Sequence, residues 1–226
     1  MLKIENLSVI FGEKSVLKNL TWSVLPNKIH GLIGLNGSGK TTLLNCIYGF
    51  LKFDSGNILL NERALNRSDV SFLETTNFFY SNLTGREFLS IFSSSNQSFH
   101  ENEWSLLLDL PIDEMIENYS TGMKKKLALL SILKLERQVV ILDEPFNGLD
   151  IETNHLLEKL IPILKQKGKT IIITSHIMGS LNGICDEIHW INDGVIKKSF
   201  EKVEFSDIES LIFENSSVSE SLQRLL

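Results

Sequence analysis

Between Lys28 and Tyr48 the chain leaves itself few folding options. Lys28 to Gly34 is short and mostly apolar and reads as a strand. It runs straight into Gly34-Leu35-Asn36-Gly37-Ser38-Gly39-Lys40-Thr41-Thr42, and a helical pattern, Thr41 to Tyr48, leaves that turn with Gly49 as its stop. Downstream, helical periodicity returns around Glu87 to Phe92, Trp104 to Leu108, Lys124 to Glu136 and Asn154 to Lys167, while Val139 to Leu142 and Thr170 to Thr174 read as buried strands. Strand and helix alternating in this way mean α/β with a mainly parallel sheet. Pro162 is expected to kink the fourth of these helices or to end its first part, because it removes a backbone donor and crowds the preceding turn.

Two hairpins flank this core. Leu2 to Val9 and Leu17 to Val24 are apolar-rich alternating runs around the turn Phe11-Gly12-Glu13-Lys14, which predicts an antiparallel N-terminal subdomain. Ile188 to Ile191, then Asn192-Asp193-Gly194, then Val195-Ile196 is a hairpin signal whose turn residues tolerate positive φ. There is no internal repeat, and Ser93 to Ser98 reads as a loop. With 226 residues the chain is expected to form one domain over 1–226, with a helical subdomain over about 76–135 and a short tail over about 203–226.

The glycine-rich turn satisfies G-x-x-x-x-G-K-[ST], placed after a strand and before a helix as its chemistry requires. Its glycines let successive backbone N–H groups turn inward around phosphates, and the helix N-terminus adds partial positive charge. Lys40 would bridge phosphate oxygens, and the Thr41 hydroxyl would ligate Mg²⁺. Val139-Val140-Ile141-Leu142-Asp143-Glu144-Pro145 supplies the complementary half: a buried strand with two carboxylates at its C-terminal end, where open α/β sheets bind ligands. Asp143 is expected to hold Mg²⁺ through its water shell, and Glu144 to act as the general base on the attacking water. These two motifs alone indicate a P-loop NTPase core.

Further motifs narrow the class. Tyr119-Ser120-Thr121-Gly122-Met123, followed by Lys124-Lys125-Lys126, resembles the signature motif of ATP-binding cassette (ABC) proteins in the form typical of drug, antibiotic-peptide and polysaccharide exporters. Asn147-Gly148-Leu149-Asp150 resembles that family's D-loop, and Thr174-Ser175-His176 its switch histidine. The resemblance spans about Leu2 to Lys198. It implies that Phe11 stacks on the adenine, that Gly34 through Thr42 hold the phosphates, and that Ser120 and Gly122 contact the γ-phosphate bound to a second subunit. It also implies that Asp150 communicates across the dimer seam and that His176 contacts the γ-phosphate or the attacking water. One departure stands out: counting back from Leu83-Thr84, the family's Mg²⁺-ligating glutamine falls at Thr75, beside Glu74. Either offers oxygen, and Glu74, being charged, is expected to be the stronger metal ligand. A second departure is Asn27 in place of a glycine before the strand, which Asn can imitate in a left-handed turn.

Composition excludes several alternatives. No apolar run reaches the roughly 18 to 20 residues of a membrane span, and Met1 to Asn6 does not read as a secretory signal. Two cysteines, Cys46 and Cys185, suit a reducing compartment rather than a disulfide framework. A net charge of −6 argues against nonspecific nucleic-acid binding. Residues 72 to 104 hold eight of the nineteen aromatics, and Phe78-Phe79-Tyr80 suggests a docking surface. The expectation is an ATP-hydrolysing subunit that pairs head to tail around two ATP. It would drive a transmembrane permease on a separate chain, as an exporter, from the inner face of the membrane. The alternatives are a degenerate cassette with little turnover and a soluble ABC protein acting on ribosomes or DNA.

Overall fold

The computed structural model describes residues 1–92, 99–175 and 178–208. In chain order the elements are β1 (Leu2–Phe11), β2 (Lys14–Val24), β3 (Ile29–Ile33), α1 (Lys40–Tyr48), β4 (Ser55–Leu60), β5 (Arg63–Ala64) and β6 (Val70–Leu73). There follow α2 (Gly85–Ser90), α3 (Glu101–Leu107), α4 (Thr121–Lys134), β7 (Val139–Asp143), α5 (Ile151–Gln166), β8 (Thr170–Thr174), α6 (Met178–Asn182), β9 (Glu187–Asn192) and β10 (Val195–Glu201).

The strands form two sheets. An antiparallel sheet runs β2-β1-β4-β5, and a six-stranded sheet runs β10-β9-β3-β8-β7-β6. In the latter, β3, β6, β7, β8 and β9 pair in parallel, and β10 closes the edge antiparallel to β9. Every residue of β3, β6, β7 and β8 is buried, as expected of parallel strands covered on both faces. Strand alternation sorts their side chains into two cores. Val139 and Ile141 of β7 join the side chains of the antiparallel sheet and α1. Val140 and Leu142 pack instead with Leu157, Leu160 and Ile161 of α5 and with Ala128, Leu129 and Ile132 of α4. A third, smaller core, around Phe88, Leu89, Leu108, Ile112, Ile116 and Leu127, belongs to the helical segment.

Local rules place most boundaries. Gly49 ends α1 at φ 81°, donating its N–H to the Asn45 and Cys46 carbonyls. Thr84 caps α2 and Glu87 closes the capping box. Asp193 and Gly194, at φ 49° and 77°, turn β9 into β10. Asn27 takes φ 56°, the left-handed conformation expected of it. Pro162, in contrast, does not end its helix: α5 continues to Gln166. The carbonyl it deprives of a partner is that of Glu158, one helical turn earlier and on an exposed residue, where water can replace the lost bond. The Ser93 to Ser98 loop and most of the 203–226 tail, from 209 onward, lie outside the described residues.

Two histidines are among the buried polar side chains. His30 of β3 and His189 of β9 are buried with their rings stacked 5.2 Å apart, and Trp22 of β2 lies edge-on to His189 at 5.0 Å. Burial keeps both imidazoles neutral by pushing their pKa values down, His189 to about 3.

Candidate functional site

The glycine-rich loop leaves the C-terminal end of β3 and wraps onto the N-terminus of α1. Gly34 admits no side chain, because a Cβ there would stand 2.3 Å from the Ile191 carbonyl oxygen. Gly39 takes φ 108° and accepts, through its carbonyl, the first helical bond from the Leu43 N–H at 2.9 Å. The loop is clipped to the β9–β10 hairpin: Gly194 N–H donates to the Ser38 carbonyl at 3.1 Å, and the Gly194 carbonyl accepts from Lys18 N–H at 3.1 Å. Leu35, Asn36 and Gly37 are exposed at the crest, Ser38, Gly39 and Lys40 are buried beneath it, and Thr41 is exposed beside it with Thr42 partly covered. The Lys40 ammonium folds over its own loop, donating to the Gly34 carbonyl at 2.6 Å and the Leu35 carbonyl at 3.3 Å. Burial lowers its pKa, and Glu144 and Asp143 oppose that shift. The buried Ser38 hydroxyl has no hydrogen-bond partner among the described residues.

A cleft of about 310 Å³ opens between this loop and the end of β7, with Thr75, Asp143, Glu144 and Asn147 on one wall and Lys14 and Val16 at another. Asp143 is the last residue of β7, in register with Thr174 of β8. Its Oδ1 accepts from the Thr174 hydroxyl at 2.6 Å and its Oδ2 from the Thr75 hydroxyl at 2.9 Å. The Thr174 oxygen in turn accepts from Glu144 N–H at 2.9 Å. Thr174 therefore orients both carboxylate-bearing residues. Glu144 is buried at φ 51°, a left-handed backbone unusual for glutamate, and its Oε2 accepts from the Asn147 amide at 3.3 Å. That turn is braced by Lys125 of α4, whose Nζ donates to the Glu144 carbonyl at 2.6 Å and the Asn147 carbonyl at 2.7 Å. Sequence reading missed Lys125, which looked like one of three lysines at a basic helix start. Its signal was indirect: a lysine four residues into an apolar helix has to find acceptors if it is buried.

Thr75 lines the cleft and touches Asp143, whereas Glu74 is half-buried at the end of β6 and is not among the cleft's lining residues. Burial, and then the nearby Asp143 carboxylate, raise the Glu74 pKa. The Thr41 hydroxyl, the Asp143 carboxylate and the Thr75 hydroxyl are hard oxygen donors around one cleft, a set that suits Mg²⁺.

Other expected residues lie apart from this cleft. Ser120 caps α4, accepting from Met123 N–H at 3.2 Å, and it is exposed. Gly122 packs against the next loop, where a Cβ would meet the Gly148 carbonyl at 3.3 Å. Asp150 caps α5, accepting from Thr153 N–H at 2.7 Å, and pairs with Lys126 at 3.0 Å. The Thr153 backbone bond, with Lys126 in support, holds its carboxyl well below the usual range. Phe11 ends β1 opposite Lys14, which lines the cleft, and its ring is exposed. His176 lies outside the described residues.

Comparison with known proteins agrees with this geometry. The model of the family described as ABC transporter matches residues 17–147. The lantibiotic transport ATP-binding protein SrtF of Streptococcus pyogenes is 30% identical over 211 residues, 89% of this chain and 92% of that protein. The Nod factor export ATP-binding protein I of Burkholderia lata is 34% identical over 221 residues, 92% of this chain and 72% of that one. Among solved structures, the ATP-binding subunit of an ABC transporter superposes with a TM-score of 0.79 at 26% identity, covering 100% of this chain and 99% of that one. A dimeric cassette in a post-hydrolysis state bound to ADP and Pi shares the fold, with a TM-score of 0.75 at 21% identity over 89% of this chain and 99% of that one. With the family model spanning more than half its length around a phosphate loop, paired carboxylates and a capped signature helix, the chain belongs to the ABC transporter family as an ATP-binding, ATP-hydrolysing cassette.

Proposed function

We propose that two such cassettes pair head to tail around two ATP and drive a transmembrane permease on a separate chain, in the direction of export. The observation that carries this reading is the separation of the site into two surfaces. The phosphate loop and the carboxylates share one cleft, while Ser120 stands exposed at the N-terminus of α4 and lines none of that cleft. A helix N-terminus and its capping hydroxyl favour an anion, so a second copy's phosphates are the natural occupant. Export is supported by the printed name of the Nod factor export relative. Among the described residues no helix is long and apolar enough to cross a membrane.

Within the cleft each residue has a distinct task. Lys40 would exchange its bonds to the Gly34 and Leu35 carbonyls for phosphate oxygens, and the backbone N–H groups of Gly37 to Thr41 would turn toward the same charge. Thr41, Asp143 and Thr75 would hold Mg²⁺, which supplies charge neutralisation of the phosphates. Glu144, held rigid by Asn147, Lys125 and Thr174, would take the proton from the attacking water as its oxygen bonds to the γ-phosphorus and the bond to the β–γ bridging oxygen breaks, releasing ADP and phosphate. His176 would contact the γ-phosphate or the attacking water. ATP that touches both copies only in the closed pair has the differential affinity needed to drive closure, and its cleavage removes that affinity.

Trans-complementation tests the pairing. Lys40→Ala and Ser120→Arg chains should each hydrolyse ATP poorly alone, but their mixture should regain activity, because one intact loop then faces one intact signature. A mixture no more active than the sum of its parts would sink the head-to-tail arrangement.

A further inference from the structure

β3 and β9 lie side by side in parallel, with His30 opposite Glu187 and Leu32 opposite His189. This register brings three side chains to one point. Nδ1 of His30 is 3.0 Å from Nε2 of His189, and Oε2 of Glu187 is 3.7 Å from each of those nitrogens. A point equidistant from the three atoms lies about 2.0 Å from each, the ordinary length of a zinc bond to imidazole nitrogen or carboxylate oxygen. We propose that His30, His189 and Glu187 form a binding site for one borderline divalent transition ion, best matched by Zn²⁺, separate from the ATP cleft.

The outer shell is already built. His30 Nε2 lies 2.9 Å from the Leu25 carbonyl, which can only accept, so that nitrogen carries the proton and Nδ1 turns its lone pair inward. His189 Nδ1 lies 2.7 Å from the Ser199 hydroxyl, which can donate or accept. In the absence of an ion, His189 keeps its proton on Nε2 and donates to His30 while Ser199 donates to Nδ1. On binding, the proton moves to Nδ1 and is donated to Ser199, so both inner lone pairs face the ion and the proton count is unchanged. Metal-bound histidines characteristically donate their other N–H to such a carbonyl, carboxylate or water. Glu187 is oriented too: Lys28 engages Oε1 and leaves Oε2 toward the imidazoles. Its side chain is 15% exposed against 0% and 2% for the two imidazoles, which sets the entry side and leaves room for a water as fourth ligand. Two nitrogens and one oxygen favour Zn²⁺ over the all-oxygen preference of Mg²⁺. Two residues beyond His189, the Ile191 carbonyl is the atom that forbids a side chain at Gly34, so an ion here pins β3 to β9 beside the phosphate loop.

The test is equilibrium dialysis of the full chain against Zn²⁺ with Mg²⁺ in excess, together with the visible ligand-field spectrum of the Co²⁺ form. One equivalent of Zn²⁺ and a four-coordinate Co²⁺ spectrum are expected. Ser199→Ala, at an exposed position, should weaken binding by about 10- to 100-fold. Glu187→Gln should weaken it at least as much, and Asp143→Asn, in the ATP cleft, should leave it unchanged. Absence of stoichiometric binding, binding indifferent to both Ser199→Ala and Glu187→Gln, or binding lost in Asp143→Asn would overturn the proposal and leave a hydrogen-bonded imidazole pair only.

Discussion

Glu144 shows how a single residue is prepared for chemistry. Its backbone sits at φ 51°, its N–H is held by Thr174, its carbonyl by Lys125 and its carboxylate by Asn147. The general-base role proposed for Glu144 is worth about 10² to 10⁴ in rate, so Glu144→Gln should lower phosphate release by that factor with the fold intact; unchanged turnover would remove it from the mechanism. At Asp143, Thr75 is the residue in contact and Glu74 is not among those lining the cleft. Thr75→Val is therefore expected to raise the Mg²⁺ concentration for half-maximal hydrolysis by about tenfold, and Glu74→Ala to change it less. A Mg²⁺ titration of both variants decides between them, and the reverse order would return the ligand role to Glu74. The sequence could place an oxygen donor near Asp143, but not choose between adjacent side chains that leave a strand end in different directions.

Among elements, α4 does more than present a signature. Ser120 caps it, Gly122 touches the loop after β7, Lys126 pairs with Asp150, and Lys125 reaches the Glu144 turn. The helix is thus bolted to the Glu144 turn and to the N-terminus of α5. Lys125→Met would leave two inward-facing carbonyls without their charged donor, at a cost of about 1–3 kcal/mol in urea unfolding, and should lower kcat through the displaced Glu144 turn. A variant of unchanged stability and kcat would show that the brace is dispensable. Helix periodicity located α4 and predicted its polar N-terminus, yet treated its three lysines alike. Their separate fates depend on what packs above the helix, which periodicity does not encode.

For the molecule as a whole, the aromatic run after β6 divides in two. Phe79 packs on Phe88 at 5.0 Å, joining the helical core, whereas Phe78 is 86% and Tyr80 68% exposed beside a concavity that includes Glu117 and Lys124. The Phe79 side chain is therefore structural and its two neighbours face outward. Phe78→Asp with Tyr80→Asp should abolish co-purification with a membrane partner while leaving ATP binding of the isolated chain unchanged; retained co-purification would place the docking surface elsewhere. Interior thiols tell the same story of a closed core, since burial pushes Cys46 up to about 11 and Cys185 to about 12.

The sequence by itself determined the parallel α/β core, the phosphate loop, the paired carboxylates and the left-handed Asn27. Each depends on residues within a few positions of one another, where backbone conformation and strand or helix period are set locally. The tertiary structure alone decided that Thr75 reaches Asp143 across 68 residues, that Lys125 braces Glu144 across 19, and that His30 meets His189 across 159. Those contacts arise from strand order and sheet register, which bring distant segments together at distances that no local pattern records.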